Sequence, residues 1–187
     1  MRTAAVVGAT VGAMLAIAAV APAARADDPS PLYALVDAAA HRLQTAQDVA
    51  ASKWITGGPI QDPPRERQVL DAVSAEARDR GVDQDVVRRA FRDQIDATVA
   101  VEYGLFSDWK LDPAGAPTTA PDLAASRTTI DTLNRTIVNE IASQWGSLHS
   151  PACDGELAVA RDAVVAERRL DDRYGRALAF ATRSYCG

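Results

Sequence analysis

Arg42 and Lys53 stand eleven residues apart in a stretch, Leu32 to Trp54, whose composition predicts one uninterrupted helix. At about 100° per residue, eleven residues make roughly three turns plus 20°, so both side chains leave the same face. That face also carries Leu35, Ala38, Ala39, Ala46, Val49 and Ala50, while Asp37, Gln44, Gln47 and Asp48 lie on the side expected to meet water. A cation turned inward costs several kcal/mol unless something anionic answers it. Two of them on one seam point to a site for a small anion.

Other helices offer matching chemistry. In the segment after Asp83, Glu102 shares a face with Phe91, Ile95, Thr98, Leu105 and Trp109, whereas Asp93 and Asp96 point elsewhere. A carboxyl group among apolar neighbours has its pKa raised and is readily protonated. Thr98 places a hydroxyl one turn before it. Arg127 lies at the edge of the stripe containing Leu123, Ile141 and Trp145, and Arg65 adds a fourth cation. Plainer roles exist for each: Arg and Lys stems lie along apolar surface with their heads in water. Glu102 could pair structurally with Arg42 or Lys53, and the aromatics are ordinary core residues. The coincidence across four helices, with more cations than inward acids, favours binding of a small polyanion such as a dicarboxylate.

The positioning elements are all helical. Ser30-Pro31 starts the first helix and Gly57-Gly58-Pro59 stops it. Asp62-Pro63 opens a second that runs to about Arg80, with Gly81 as terminator. Asp83 caps a third reaching Trp109, and the Pro-rich stretch 112–121 is a loop. Asp122 opens a fourth with Ile130, Leu133, Ile137, Ile141 and Trp145 on one stripe. After a break at 146–151, two shorter helices are expected near 154–169 and 171–185. Strand signals are nearly absent and no repeat is visible, so the expected architecture is all-α: a single-domain bundle of about six helices with a long first helix.

Residues 1–26 read as a cleaved signal peptide: Arg2, an apolar run from Val6 to Val20, and Ala24-Arg25-Ala26 as the cleavage signal. The domain then spans 27–187, exported to the periplasm or beyond, with no further run suited to a membrane span. Setting aside the leader's two arginines leaves 18 Lys and Arg against 25 Asp and Glu, a net charge of −7. That balance argues against a nucleic-acid partner. In an oxidising compartment the only two cysteines, Cys153 and Cys186, are most simply one disulfide near the C-terminus. Neither His41 nor His149 has metal-ligand spacing, and no phosphate loop or nucleophile elbow is present. Asn134-Arg135-Thr136 is a formal glycosylation sequon, but it falls in mid-helix.

Several segments, in order, resemble the all-helical chorismate mutases, and most closely their secreted subclass. These are Leu35 to Leu43 with Lys53-Trp54, Phe91 to Ile95, Thr98, Glu102-Tyr103, Phe106 to Leu111, Pro121 to Leu123 with Ser126-Arg127, and Ser184-Tyr185-Cys186 with its partner Cys153. The resemblance implies rearrangement of chorismate to prephenate, a step of aromatic amino-acid biosynthesis, without cofactor or covalent intermediate. It implies that Arg42 and Arg127 take the substrate's two carboxylates, a geometry suited to guanidinium groups. Lys53 would contact a carboxylate and the ether oxygen of the breaking bond, and protonated Glu102 would donate a hydrogen bond to that oxygen. Thr98 would assist a carboxylate, and Asp62 and Arg65 would lie at the ring-hydroxyl end. A homodimer with each site built within one chain is also implied.

Two positions depart from the family pattern. A Gln expected four residues after Arg65 is Val69, with Gln68 beside it, and Pro63-Pro64 leaves Arg67 as a competitor for the place of Arg65. Val99 follows Thr98 where a relative can carry an acid. The rival function is a non-catalytic exported helical protein that binds a partner through its acidic face.

Overall fold

The computed structural model describes Met1 and residues 30–187, so the signal-peptide segment lies outside the described residues. Helices α1 (Tyr33–Gln44), α2 (Ala46–Thr56), α3 (Pro63–Asp79), α4 (Gln84–Leu111), α5 (Leu123–Ser143), α6 (Trp145–Leu148), α7 (Cys153–Glu167) and α8 (Asp172–Ala181) follow in order. A short 3₁₀ turn, Pro113–Gly115, sits between α4 and α5, and there is no strand among the described residues.

Aspartates set the starts of four of the eight helices among the described residues, α3, α4, α5 and α8. Asp62 accepts from the Arg65 amide at 3.1 Å, Asp83 from Asp85 at 2.7 Å, Asp122 from Ala124 at 2.8 Å, and Asp171 from Tyr174 at 2.9 Å. Each satisfies an amide that the first helical turn leaves unpaired. Pro63 and Pro64 fill the first positions of α3, where no amide hydrogen is needed. Gly57 (φ 70°) and Gly81 (φ 69°) close α2 and the turn after α3 in left-handed geometry, which glycine adopts freely.

The first helix and its entry differ from expectation. The first helix is interrupted at Thr45, whose hydroxyl donates to the Arg42 carbonyl at 2.7 Å while its amide also reaches that carbonyl at 3.3 Å. A mid-helix hydroxyl competing for a backbone acceptor tightens the local turn. Ser30 does not cap α1 directly. Its hydroxyl accepts from the Leu32 amide at 3.2 Å and donates to the Glu156 carbonyl at 2.8 Å, tying the entry segment to α7.

The long α4 is the spine, packed against α1, α2, α3 and α8, and α5 lies across α1, α2 and α3. Leu35, Leu43, Phe91, Ile137, Ile141 and Leu178 are fully buried between them. Trp54, Phe106 and Trp109 close one end with centroid separations of 5.1–5.8 Å. Asp37 and Gln44, expected to meet water, are instead partly covered by Arg168, which donates to both. The C-terminal tail is held twice. Cys153 at the start of α7 is bonded to Cys186, 33 residues on, and Asp93 of α4 accepts from Arg183 and Ser184, each at 2.6 Å.

Candidate functional site

A cleft of about 600 Å³, its open mouth included, lies between α1–α2, α3, α4 and α5. Arg42, Lys53, Asp62, Arg65, Thr98, Glu102 and Arg127 all line it. Thus side chains far apart in the chain meet in one space, on four layers that the caps and glycines hold in register. Arg67 does not line it and is exposed, so Arg65 is the cation of that turn that faces the cleft. Val69 lines the cleft, whereas Gln68 accepts from Arg65 at 2.9 Å from outside it. Ile60, Ile95, Val99, Leu123 and Ile130 add apolar wall.

Arg42 is buried, with 4 % of its surface exposed. Its Nε donates to Asn134 Oδ1 at 2.8 Å, and its Nη1 reaches Thr98 Oγ1 at 3.2 Å and Gln94 Oε1 at 3.5 Å. All three partners are neutral, and no carboxylate comes within ion-pair distance of Arg42 among the described residues. Burial lowers its pKa to about 10, which leaves it charged at neutral pH. The cleft therefore holds a positive charge that is in no ion pair among the described residues.

Lys53 and Glu102 form the second centre. Lys53 Nζ lies 2.7 Å from Glu102 Oε2 and 2.5 Å from the Ile60 carbonyl. Burial raises the Glu102 pKa above the usual carboxylate value, and the Lys53 charge works against that rise. At the mouth, Arg127 is paired with Asp62 at 3.1 Å and Arg65 with Asp131 at 2.5 Å. Both pairs are partly exposed, so each is weak and exchangeable. Among the described residues no cluster of three His, Cys, Asp or Glu side chains converges on a metal position.

Gln94 and Asn134, the buried amides around Arg42, are not among the site residues expected from the sequence. The signal was present: Gln94, Thr98 and Glu102 repeat every four residues, and Asn134 continues the stripe of Ile130, Ile137 and Ile141. Asp131, the partner of Arg65, lay on the exposed side and carried no such signal.

Fold and cleft define an all-helical protein built around a pocket lined by four cations, Arg42, Lys53, Arg65 and Arg127. A family model described as chorismate mutase type II matches residues 33–103. The chain is 56 % identical to the secreted chorismate mutase of Mycolicibacterium smegmatis over 178 residues, covering 93 % of this chain and 98 % of that protein. It is 50 % identical to the secreted chorismate mutase of Mycobacterium tuberculosis over 165 residues, covering 88 % and 83 %. The crystal structure of chorismate mutase from Burkholderia phymatum superposes with a TM-score of 0.80 at 31 % identity, covering 85 % of this chain and 98 % of that one. The chain belongs to the chorismate mutase family.

Proposed function

We propose that this cleft converts chorismate to prephenate by intramolecular Claisen rearrangement, in an exported protein freed of its first 26 residues. The observation that carries the reading is Arg42: a buried, charged guanidinium held by neutral partners only, beside the Lys53–Glu102 pair. A substrate carboxylate supplies the anion that Arg42 lacks. Arg127 takes the second carboxylate by exchanging its exposed contact with Asp62. Thr98 already donates to the Gln94 carbonyl at 2.8 Å and accepts from Arg42. It therefore assists the carboxylate held by Arg42, through the guanidinium it steadies.

The breaking C–O bond places negative charge on its oxygen, and donors fixed there beforehand stabilise the transition state most. Lys53, anchored on the Ile60 carbonyl, presents an ammonium to that oxygen. Glu102, protonated, donates a hydrogen bond to it. Bringing a dianion into the cleft raises the Glu102 pKa further, so binding itself favours the donor form. Asp62 and Arg65 face the ring hydroxyl. The clamp holds the compact conformer in which the bond-forming carbons meet. A million-fold acceleration asks these effects for about 8 kcal/mol.

Export is supported by the leader composition, by the disulfide and by relatives that bear the name secreted. The protein acts as a homodimer in which each chain supplies its own complete cleft; analytical ultracentrifugation tests this, and a monomer at assay concentration overturns it. The activity test is direct. Purified mature protein is added to chorismate and the ultraviolet absorbance of the substrate is followed. Loss no faster than in buffer leaves only the non-catalytic binding role.

A further inference from the structure

The five N–H groups of Arg42 are unequally engaged. Nε points to α5 and donates to Asn134 at 2.8 Å, the shortest of its bonds, while Nη1 points to Thr98 and Gln94 on α4. Nη2 has no hydrogen-bond partner among the described residues. A guanidinium is planar, so fixing Nε on one side and Nη1 on the other leaves no freedom to roll. The remaining edge is the one available to a ligand in the cleft.

We infer that Asn134 is a positioning residue for the reaction: it aims the free edge of Arg42 into the cleft and, being an uncharged amide, leaves the Arg42 charge for the substrate. This rests on Arg42 taking a substrate carboxylate. Two observations support it beyond the distance itself. Asn134 is buried, with 5 % of its surface exposed, although it belongs to a formal glycosylation sequon. That burial leaves it inaccessible to a glycan, and its amide oxygen is engaged by Arg42 instead. Second, Asn134 lies on α5 together with Arg127, so one rigid helix sets both guanidinium groups of the clamp. A carboxylate in the same place would hold Nε as well, but it would pair with Arg42 permanently and compete with the ligand.

The test is Asn134→Asp, nearly isosteric, beside Arg42→Ala. In Asn134→Asp the internal ion pair takes the charge meant for the substrate. KM should rise on the order of ten- to hundredfold, the size of one charge-assisted hydrogen bond, with kcat changed far less. Circular dichroism and melting temperature should stay those of a folded protein. A merely structural amide would show the reverse, a lowered melting temperature with KM unchanged. Should Asn134→Asp fail to fold, Asn134→Ser, too short to hold Nε, should lower kcat/KM about tenfold. A folded Asn134→Asp or Asn134→Ser protein with wild-type kcat and KM, beside an inactive Arg42→Ala, overturns this inference alone. An Arg42→Ala protein with wild-type KM removes the clamp reading and this inference with it.

Discussion

Lys53 and Glu102, from α2 and α4, share a hydrogen-bonded ion pair of 2.7 Å in which the lysine is 12 % exposed and the carboxylate 4 %. The pair is asymmetric: Lys53 has a second anchor on the Ile60 carbonyl, whereas Glu102 has only Lys53 as hydrogen-bond partner among the described residues. Burial favours the neutral carboxyl and the ammonium favours the ionised one, with burial the larger influence. The position of that balance governs the chemistry proposed for the cleft.

If protonated Glu102 donates to the ether oxygen, kcat/KM is highest at low pH and falls as pH rises through the raised Glu102 pKa. Stability should move in the same sense. A folded-state pKa above the unfolded value means that the native protein binds the proton more tightly. Stability is thus fully present below the ordinary carboxyl pKa and declines as pH climbs to the raised one. Glu102→Gln, a permanent donor, should flatten the pH–rate profile and remove its share of the stability change. A wild-type kcat/KM independent of pH between 5 and 9 would sink the donor role.

Arg42→Ala should fold and lose turnover. The cation it removes has only neutral partners, so no buried carboxylate is orphaned. Its melting temperature should move by only a few degrees, corresponding to about 1–2 kcal/mol. Arg42→Lys keeps the charge but loses the planar fork and the fixed Nε contact, and should lower kcat/KM by roughly 10- to 100-fold. An unfolded Arg42→Ala would instead place Arg42 among the residues that hold the bundle together.

Features encoded over four or five residues were legible in the sequence. Asp62, Asp83 and Asp122 announce helix starts because a short side-chain acceptor next to an amide is local physics. The inward face of Arg42 and Lys53 was legible because helical periodicity survives the irregularity at Thr45. That irregularity was not, since a threonine in mid-helix usually leaves the helix intact. Gln94 and Asn134 lay on visible inward stripes, but an uncharged amide raises no electrostatic question until its partner is known. The choice between Arg65 and Arg67 depended on how Pro63-Pro64 sets the phase of α3, which the observed cap at Asp62 decides.

The disulfide contributes to stability without touching the cleft. Replacing Cys153 and Cys186 together by Ser should cost about 3–4 kcal/mol, since the bridge closes a 33-residue loop. For a domain of this size that is a drop of roughly 10 °C in melting temperature. Below the new transition, kcat/KM should remain within a few-fold of wild type, because no cleft residue lies on the tail. Calorimetry of both proteins checks the first statement and the chorismate assay the second.

Asp62 combines two roles that a pair of substitutions separates. Its Oδ1 caps α3 through the Arg65 amide, and its Oδ2 holds Arg127 at 3.1 Å. Asparagine caps as well as aspartate but carries no charge. Asp62→Asn should therefore melt within a degree or two of wild type, while Asp62→Ala loses about 1 kcal/mol of helix capping. The kinetic consequence follows from competition. With Asp62 neutral, Arg127 is no longer partly occupied by an internal carboxylate and meets the substrate carboxylate more readily. KM for chorismate in Asp62→Asn should fall or hold level, although kcat drops if the ionised Asp62 also orients the ring hydroxyl. A KM raised tenfold at unchanged melting temperature would mean that Asp62 contributes its charge to binding, and that Arg127 is not released as proposed.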